Sequence, residues 1–286
     1  MDLIKCLNCE FVGLISKGEE KCPKCAEEGS LTWLDEDNQE LDSLENKILN
    51  CDCLEGMKLI EDKSIDMILC DLPYGTTQNK WDSVIPFELL WKQYERIIKD
   101  NGAIVLFSAE PFTSQLINSN KKLFRYDIIW KKTHPKGHLN AKRMPLRSHE
   151  IICVFYKKLP TYNPIMRKGK YRMKGGNNAS DGTRCYGKSQ SYQSWNDEYY
   201  PTSVIEFSNA NQLNKLHPTQ KPIELMEWFI KTYSNEGDLI LDNCIGSGTT
   251  AIACINTNRR FIGMESDKDY YNITKERIEN TYKELQ

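Results

Sequence analysis

From Lys47 onward the apolar positions alternate between short continuous runs and stretches of helical spacing. Ile48-Leu49, Ile65 to Cys70, Ala103 to Phe107, Tyr126 to Trp130, Ile151 to Tyr156, Leu239-Ile240-Leu241 and Phe261 to Met264 are too short for buried helices and read as strands. Phe87, Leu90, Trp91, Tyr94 and Ile97-Ile98 recur at helical spacing, and Asn101-Gly102 is a stop signal after them. Ile223 to Tyr233, Thr249 to Asn256 and Asp269 to Leu285 read as further helices. Strand alternating with helix predicts an α/β fold with a mostly parallel sheet, covered by helices on both faces. One stretch breaks the pattern. Lys157 to Leu216 is rich in Gly, Asn, Ser and Tyr with little periodicity, and reads as a polar, irregular insertion.

The first 46 residues follow neither pattern. Cys6-x-x-Cys9 is followed, after twelve residues, by Cys22-x-x-Cys25. Each pair can clasp one side of a metal ion, and four thiolates satisfy tetrahedral zinc without leaving a position open for catalysis. A segment this short has almost no core, so a structural zinc would hold it together. Residues 1–34 are therefore read as a four-cysteine zinc module, 35–46 as an acidic linker, and 47–286 as the main domain. The chain holds eleven cysteines, an odd number, and seven of them are scattered. That argues against a secreted disulfide framework and for a reducing cytoplasm. No apolar run approaches the roughly 20 residues of a membrane helix, and MDLIKCLNCE has no basic start followed by an apolar stretch.

The formal net charge of −2 conceals a polarised chain. Between Lys121 and Lys188 stand eighteen Lys or Arg and three acids, a local charge of +15, whereas Met1 to Asn46 carries twelve acids against four lysines. A solvated surface mixes its signs, so the basic stretch points to a polyanionic partner such as nucleic acid. The acidic N-terminus should not lie against it; it is a candidate contact for the main domain or for another chain, including a second copy.

Two loops carry the candidate chemistry. Leu239-Ile240-Leu241-Asp242 runs into Asn243-Cys244-Ile245-Gly246-Ser247-Gly248-Thr249-Thr250. A strand, a glycine turn and a helix start let backbone approach a ligand at a sheet's carboxyl edge. Glu265, nineteen residues after Gly246 and at the end of the next strand, can accept from both ribose hydroxyls. No Lys follows the second glycine, which excludes a P-loop, and Asp242 favours a ligand carrying an amino group or a sulfonium. The second loop is Asp71-Leu72-Pro73-Tyr74, also at the end of a buried strand. The amino group of adenine or cytosine is conjugated with its ring and is a poor nucleophile. An acceptor on each of its hydrogens frees its lone pair, and the Asp71 carboxylate and Leu72 carbonyl can be those two acceptors. Pro73 stiffens the turn and Tyr74 offers a stacking face for a base turned out of a duplex. Taken alone, the tetrapeptide reads equally as a turn with Asp as cap and Pro as punctuation.

The combination resembles the DNA amino-methyltransferases with a DPPY-type motif, over nearly everything from Lys47 to Leu285. The order is DLPYG, a basic variable stretch, HPTQKP at His217 to Pro222, DNCIGSGTT and FIGMES, which resembles the beta group, a circularly permuted, Rossmann-like methyltransferase sheet. The resemblance implies that Asp71, Leu72, Pro73 and Tyr74 are catalytic and that S-adenosylmethionine is the cofactor. It implies cofactor binding by Asp242, Gly246, Ser247, Gly248, Thr249, Thr250 and Glu265, with Asp52 meeting its adenine, and with His217 and Lys221 beside its methionine end. It also implies double-stranded DNA as partner, a target-recognition region at about 157–216, and a cognate restriction enzyme as a candidate partner. Leu72 stands where the family usually has Pro, and Asn243 and Cys244 where it usually has Pro and Phe. Asp at the first motif position is more typical of adenine enzymes, Ser of cytosine enzymes. The alternatives are a cytosine amino-methyltransferase, a catalytically silent DNA-binding protein, and methylation of RNA or of a protein glutamine.

Overall fold

The computed structural model describes residues 2–6, 12–15, 31–33, 44–75, 83–176, 192–209 and 220–285. By chain contacts it divides into residues 1–163 with 204–286, and a smaller unit, Pro164–Ser203. The chain begins with β1 (Asp2–Cys6), β2 (Val12–Ile15) and β3 (Leu31–Trp33), an antiparallel sheet with β1 in the middle. Cys6 ends β1 and pairs with Leu31, while Cys9, Cys22 and Cys25 lie outside the described residues.

The main sheet uses β4 (Lys47–Leu49), β5 (Ile65–Cys70), β6 (Ile98–Ser108), β7 (Phe124–Lys136) and β8 (Arg147–Phe155) from the first half of the chain. Helices α1 (Cys53–Met57), α2 (Phe87–Ile97) and α3 (Phe112–Ser119) fall between them. The smaller unit is a hairpin of β9 (Arg167–Gly176) and β10 (Tyr192–Tyr199). Then follow β11 (Val204–Phe207), α4 (Ile223–Tyr233), β12 (Leu239–Asp242), α5 (Thr249–Asn256), β13 (Arg260–Met264) and α6 (Lys268–Glu284). The eight strands run in the order β11-β7-β8-β6-β5-β12-β13-β4, and only β8 is antiparallel to its neighbours. This is the mostly parallel α/β sheet expected. No helix among the described residues is long and apolar enough to cross a membrane.

Period-two alternation gives the sheet two buried faces. Ile65, Ile68 and Cys70 of β5 join one core cluster with Leu90, Trp91 and Tyr94 of α2 and Phe112 and Leu116 of α3. Met67 and Leu69 of the same strand join the other, with Leu225, Phe229 and Ile230 of α4 and Ala251 and Cys254 of α5. The result is a three-layer α/β/α unit.

Several elements depart from the sequence reading. Helix α2 ends at Ile97, not at the Asn101-Gly102 signal, because Ile98 turns extended and pairs with Ile65. The first part of the basic segment between Trp130 and Arg147 is strand: β7 runs on to Lys136, and its residues Ile129 to Lys132 take β11 as a parallel partner. The irregular insertion contains three strands. The β9–β10 ribbon leaves Tyr171, Met173 and Trp195 exposed, so it buries no face that would leave an apolar alternation in the sequence. Helix α3 was not anticipated, although Phe112 and Leu116 are one turn apart and both buried.

Phe229 is fully buried on α4 and meets Phe107 of β6 edge to face at 5.8 Å. Phe229→Ala should lower unfolding stability by about 3–5 kcal/mol, measured as a reduced urea midpoint at unchanged slope.

Candidate active site

In an open parallel sheet, ligands bind beyond the carboxyl ends of the strands where the order reverses. Here that point is the β5–β12 pair, from which the chain continues to β6 on one side and to β13 and β4 on the other. Asp71 follows β5, Asp242 ends β12, Glu265 follows β13 and Asp52 follows β4. All four line one cavity of about 500 Å3. Leu72, Pro73, Tyr74 and Lys221 also line it, as do Gly246, Ser247, Thr249 and Thr250 of the glycine turn. Gly248 does not: it sits at φ +84° at the start of α5, where an added Cβ would lie 2.6 Å from Thr274. His217 falls outside the described residues.

The glycine turn is held from three sides. Asp242, buried at 4% exposure, accepts from the Thr250 hydroxyl and from the Cys244 amide at 3.1 Å. Glu265 accepts from the amides of Gly246 and Asp267, each at 2.9 Å. From α6, Thr274 donates to the Gly246 carbonyl at 2.6 Å and Arg277 to the Ser247 carbonyl. Asn243, at a position where the resemblance leads one to expect Pro, accepts from the buried Tyr94 hydroxyl at 2.5 Å, tying the turn to α2. Cys244 packs against the α2-side core. Asp52 has a local task besides facing the cavity: it caps α1, accepting from Leu54 at 2.8 Å and Glu55 at 3.3 Å.

The reaction loop is organised around Asp71. One oxygen accepts from the Tyr74 hydroxyl at 2.7 Å, and the other is ion-paired with Lys221 Nζ. The Tyr74 ring stacks on Phe112 at 5.0 Å, and the Leu72 side chain is taken up by the core. Lys221, which lines the cavity with the glycine turn, is ion-paired with Asp71 and faces Glu150 at 3.4 Å. Glu150 also pairs with Lys132 at 2.5 Å. The sequence reading missed Glu150 and Lys132. Their one signal was that Glu150 is among only three acids in the stretch from Lys121 to Lys188.

Burial decides the charge states. It pushes Asp71 above the usual carboxylate range, with Lys221 opposing and Glu150 adding to the shift. Burial would push Glu150 up as well, but Lys221 and Lys132 outweigh it and hold it low. Lys221, disfavoured as a cation by burial, is kept charged by Asp71 and Glu150. Burial pushes Asp242 up to about 6, and among the described residues it has no ion pair.

A nucleoside turn and an acid-proline loop facing one cavity at the switch point define a transferase that brings a nucleoside cofactor to a second substrate. Comparison with known proteins supplies the family. The chain belongs to the DNA methylase family, which matches residues 65–276, and it is a DNA methyltransferase. It is 28% identical over 261 residues to the Type II methyltransferase M.HpaI of Haemophilus parainfluenzae, covering 84% of this chain and 76% of that one. It is 29% identical over 259 residues to the Type II methyltransferase M1.MboII of Moraxella bovis, covering 79% and 94%. The crystal structure of the M1.HpyAVI-SAM complex superposes with a TM-score of 0.55 at 27% identity, covering 81% of this chain and 98% of that one.

The buried, unpaired Asp242 fits a cationic ligand, and it yields a pH prediction. Affinity for S-adenosylmethionine should fall as pH drops through about 6, where Asp242 takes up a proton and loses its charge. In Asp242→Asn that particular pH dependence should vanish; calorimetric titration of both proteins on either side of that pH checks it.

Proposed function

We propose that this DNA methyltransferase transfers a methyl group from S-adenosylmethionine to the exocyclic amino group of adenine in a base turned out of double-stranded DNA. The observation that carries the reading is the convergence of the Asp71 loop and the Asp242–Glu265 turn on one cavity. S-adenosylmethionine supplies an electrophilic methyl group on a sulfonium. Glu265 would accept from its ribose hydroxyls, Asp52 would meet its adenine, and Asp242 would complement its positive charge. Gly246, Ser247, Thr249 and Thr250 form the turn along which it would lie.

Asp71 and the Leu72 carbonyl would each accept one hydrogen of the target amino group, directing its lone pair toward the methyl carbon. Tyr74 would stack the flipped base, its ring already set by Phe112 and its hydroxyl by Asp71. Asp rather than Ser at position 71 supports adenine over cytosine. Methylation of a base amino group with Asp71 ionised needs the acceptor in place before the base arrives, and its two existing contacts hold it there.

DNA would meet the exposed Lys131, Lys136, Lys142, Arg143 and Arg147 at the end of β7, in the following turn and on β8. We assign sequence reading to residues 157–216. The β9–β10 ribbon within them supports this with exposed Arg172, and with Tyr171 and Trp195 stacked on one another at 6.0 Å. The Type II names of the relatives support a cognate restriction enzyme as partner. We also infer a structural zinc on Cys6, Cys9, Cys22 and Cys25. Its support is their spacing and the pairing of Cys6 with Leu31, which sets the start of β3 beside the end of β1.

Expression in an unmethylated host, followed by mass spectrometry of digested DNA and sequencing for modified bases, should reveal N6-methyladenine at a defined site. N4-methylcytosine would replace the base assignment, and methyl marks confined to RNA would overturn the polymer. Asp71→Ala should lower transfer by roughly a hundred- to a thousandfold, the scale of losing a transition-state contact, with S-adenosylmethionine binding nearly intact. Glu265→Ala should instead weaken that binding. Elemental analysis should find about one zinc per chain; finding none would remove the metal from the account.

A further inference from the structure

The reaction end of the cavity holds four charged side chains from four separate parts of the chain. Asp71 follows β5, Lys132 lies on β7, Glu150 on β8, and Lys221 just before α4. Two carboxylates and two ammoniums sum to zero charge in a place largely closed to water. Lys132 is 9% exposed, Lys221 7% and Glu150 14%.

Glu150 is the member the others share. Its Oε1 takes Lys132 Nζ at 2.5 Å, and its Oε2 faces Lys221 Nζ at 3.4 Å. Oε2 is buried and makes no hydrogen bond, so its charge is answered only by the ion pair. The carboxylate between them offsets the cost of burying two ammoniums side by side. Aromatic faces complete the seats: Lys132 lies 5.1 Å from the Trp130 ring and Lys221 5.1 Å from the Phe107 ring.

We propose that Glu150 and Lys132 are positioning residues for methyl transfer, a charge-matched pair that keeps the reaction end neutral and leaves the Lys221 ammonium to Asp71. The inference rests on the reading of Asp71 as acceptor of the target amino group. It concerns two residues that touch neither base nor cofactor in that reading and act through Lys221 and through the Glu150 charge near Asp71. The groups facing Asp71 are Tyr74 and Cys70 on its own segment, Lys221 ahead of α4, Glu150 on β8 and Asp242 on β12. Lys132 reaches it through Glu150. Replacing Glu150 by Gln leaves the cluster at +1 and removes a like charge from beside Asp71, so the acceptor should ionise more easily. Replacing Lys132 by Met leaves the cluster at −1 and should make ionisation harder. Replacing both restores zero.

The test is the single-turnover rate of methyl transfer to duplex DNA against pH, at saturating S-adenosylmethionine and DNA, where the acid limb reports the acceptor in the bound complex. Lys132→Met should move that limb to higher pH, and Glu150→Gln to lower pH, each by roughly one unit. Both should reduce the plateau rate while changing S-adenosylmethionine affinity less than about twofold. The double variant K132M/E150Q should bring the limb back close to that of the unmodified enzyme, which a purely structural role would not do. Limbs that coincide in all four proteins, whatever the rates, overturn the inference. If Glu150→Gln alone does not fold, as circular dichroism would show, Lys132→Met against the double variant decides by the same rule. Failure of the unmodified enzyme to methylate any DNA would sink the parent reading and this inference with it. Transfer by that enzyme with unmoved limbs in the variants would sink this inference alone.

Discussion

The active site exists because β5 and β12, far apart in sequence, lie side by side. Ile240 pairs with Met67 and Leu241 with Ile68, and the Leu239 amide donates to Asp66 at 3.0 Å where the two strands begin. The cores on both faces press on this seam: Ile68 and Leu241 belong to one, Met67 and Ile240 to the other. A shift of one residue would exchange those faces. It would also turn Asp71 and Asp242, which follow directly from the strands, away from their partners. The geometry of the chemistry is thus inherited from a parallel pairing that both cores hold in register.

At the carboxyl ends of that seam, buried acids are stabilised in two different ways. Asp71 has an ammonium and a hydroxyl of the protein itself, so it is oriented whatever else is bound. Asp242 has a hydroxyl, an amide and the Cys70 thiol but, among the described residues, no ammonium, and burial raises its proton affinity. In the proposed reaction the first acid would be the acceptor that a neutral amino group finds waiting. The second retains uncompensated charge, which a cationic donor can satisfy. A donor that has given up its methyl group is no longer a sulfonium, and so loses this attraction. In the proposed reaction the carboxylate that would favour binding of the reactant would therefore also favour exchange of the product.

Much of this was legible in the sequence, and for one reason. β12 and, beyond Asp66, β5 are apolar runs with an acid at or just after the end, as expected of strands buried on both faces. The glycine turn and Glu265 stand at separations fixed by one strand–turn–helix–strand unit, so sequence distance is already spatial distance. The rest lacked such a code. The β9–β10 ribbon exposes residues on both faces, so Tyr171 and Trp195 leave no period to read. Asn243 departs from the pattern the resemblance implies, and its compensation is Tyr94, a residue 149 positions away that would otherwise count only as helical core. Lys221 could be matched to a motif but not to its partners, because those lie on other elements.

Glu150 shows why motif reasoning ends where it does. It sits opposite Trp130 in the β7–β8 register, and nothing nearby in sequence marks it except that it is acidic among bases. In a basic DNA-facing segment a lone acid costs affinity for phosphate if it is exposed. Buried at 14% exposure between two lysines, it costs little there, because its charge is already cancelled before DNA arrives. The lysines it cancels are likewise withdrawn from phosphate binding and assigned to the reaction site. Within the stretch of +15, exposed cations can meet a polyanion, while Lys132 and Glu150 offset one another and join Lys221 and Asp71, from outside the stretch, in a cluster of zero net charge.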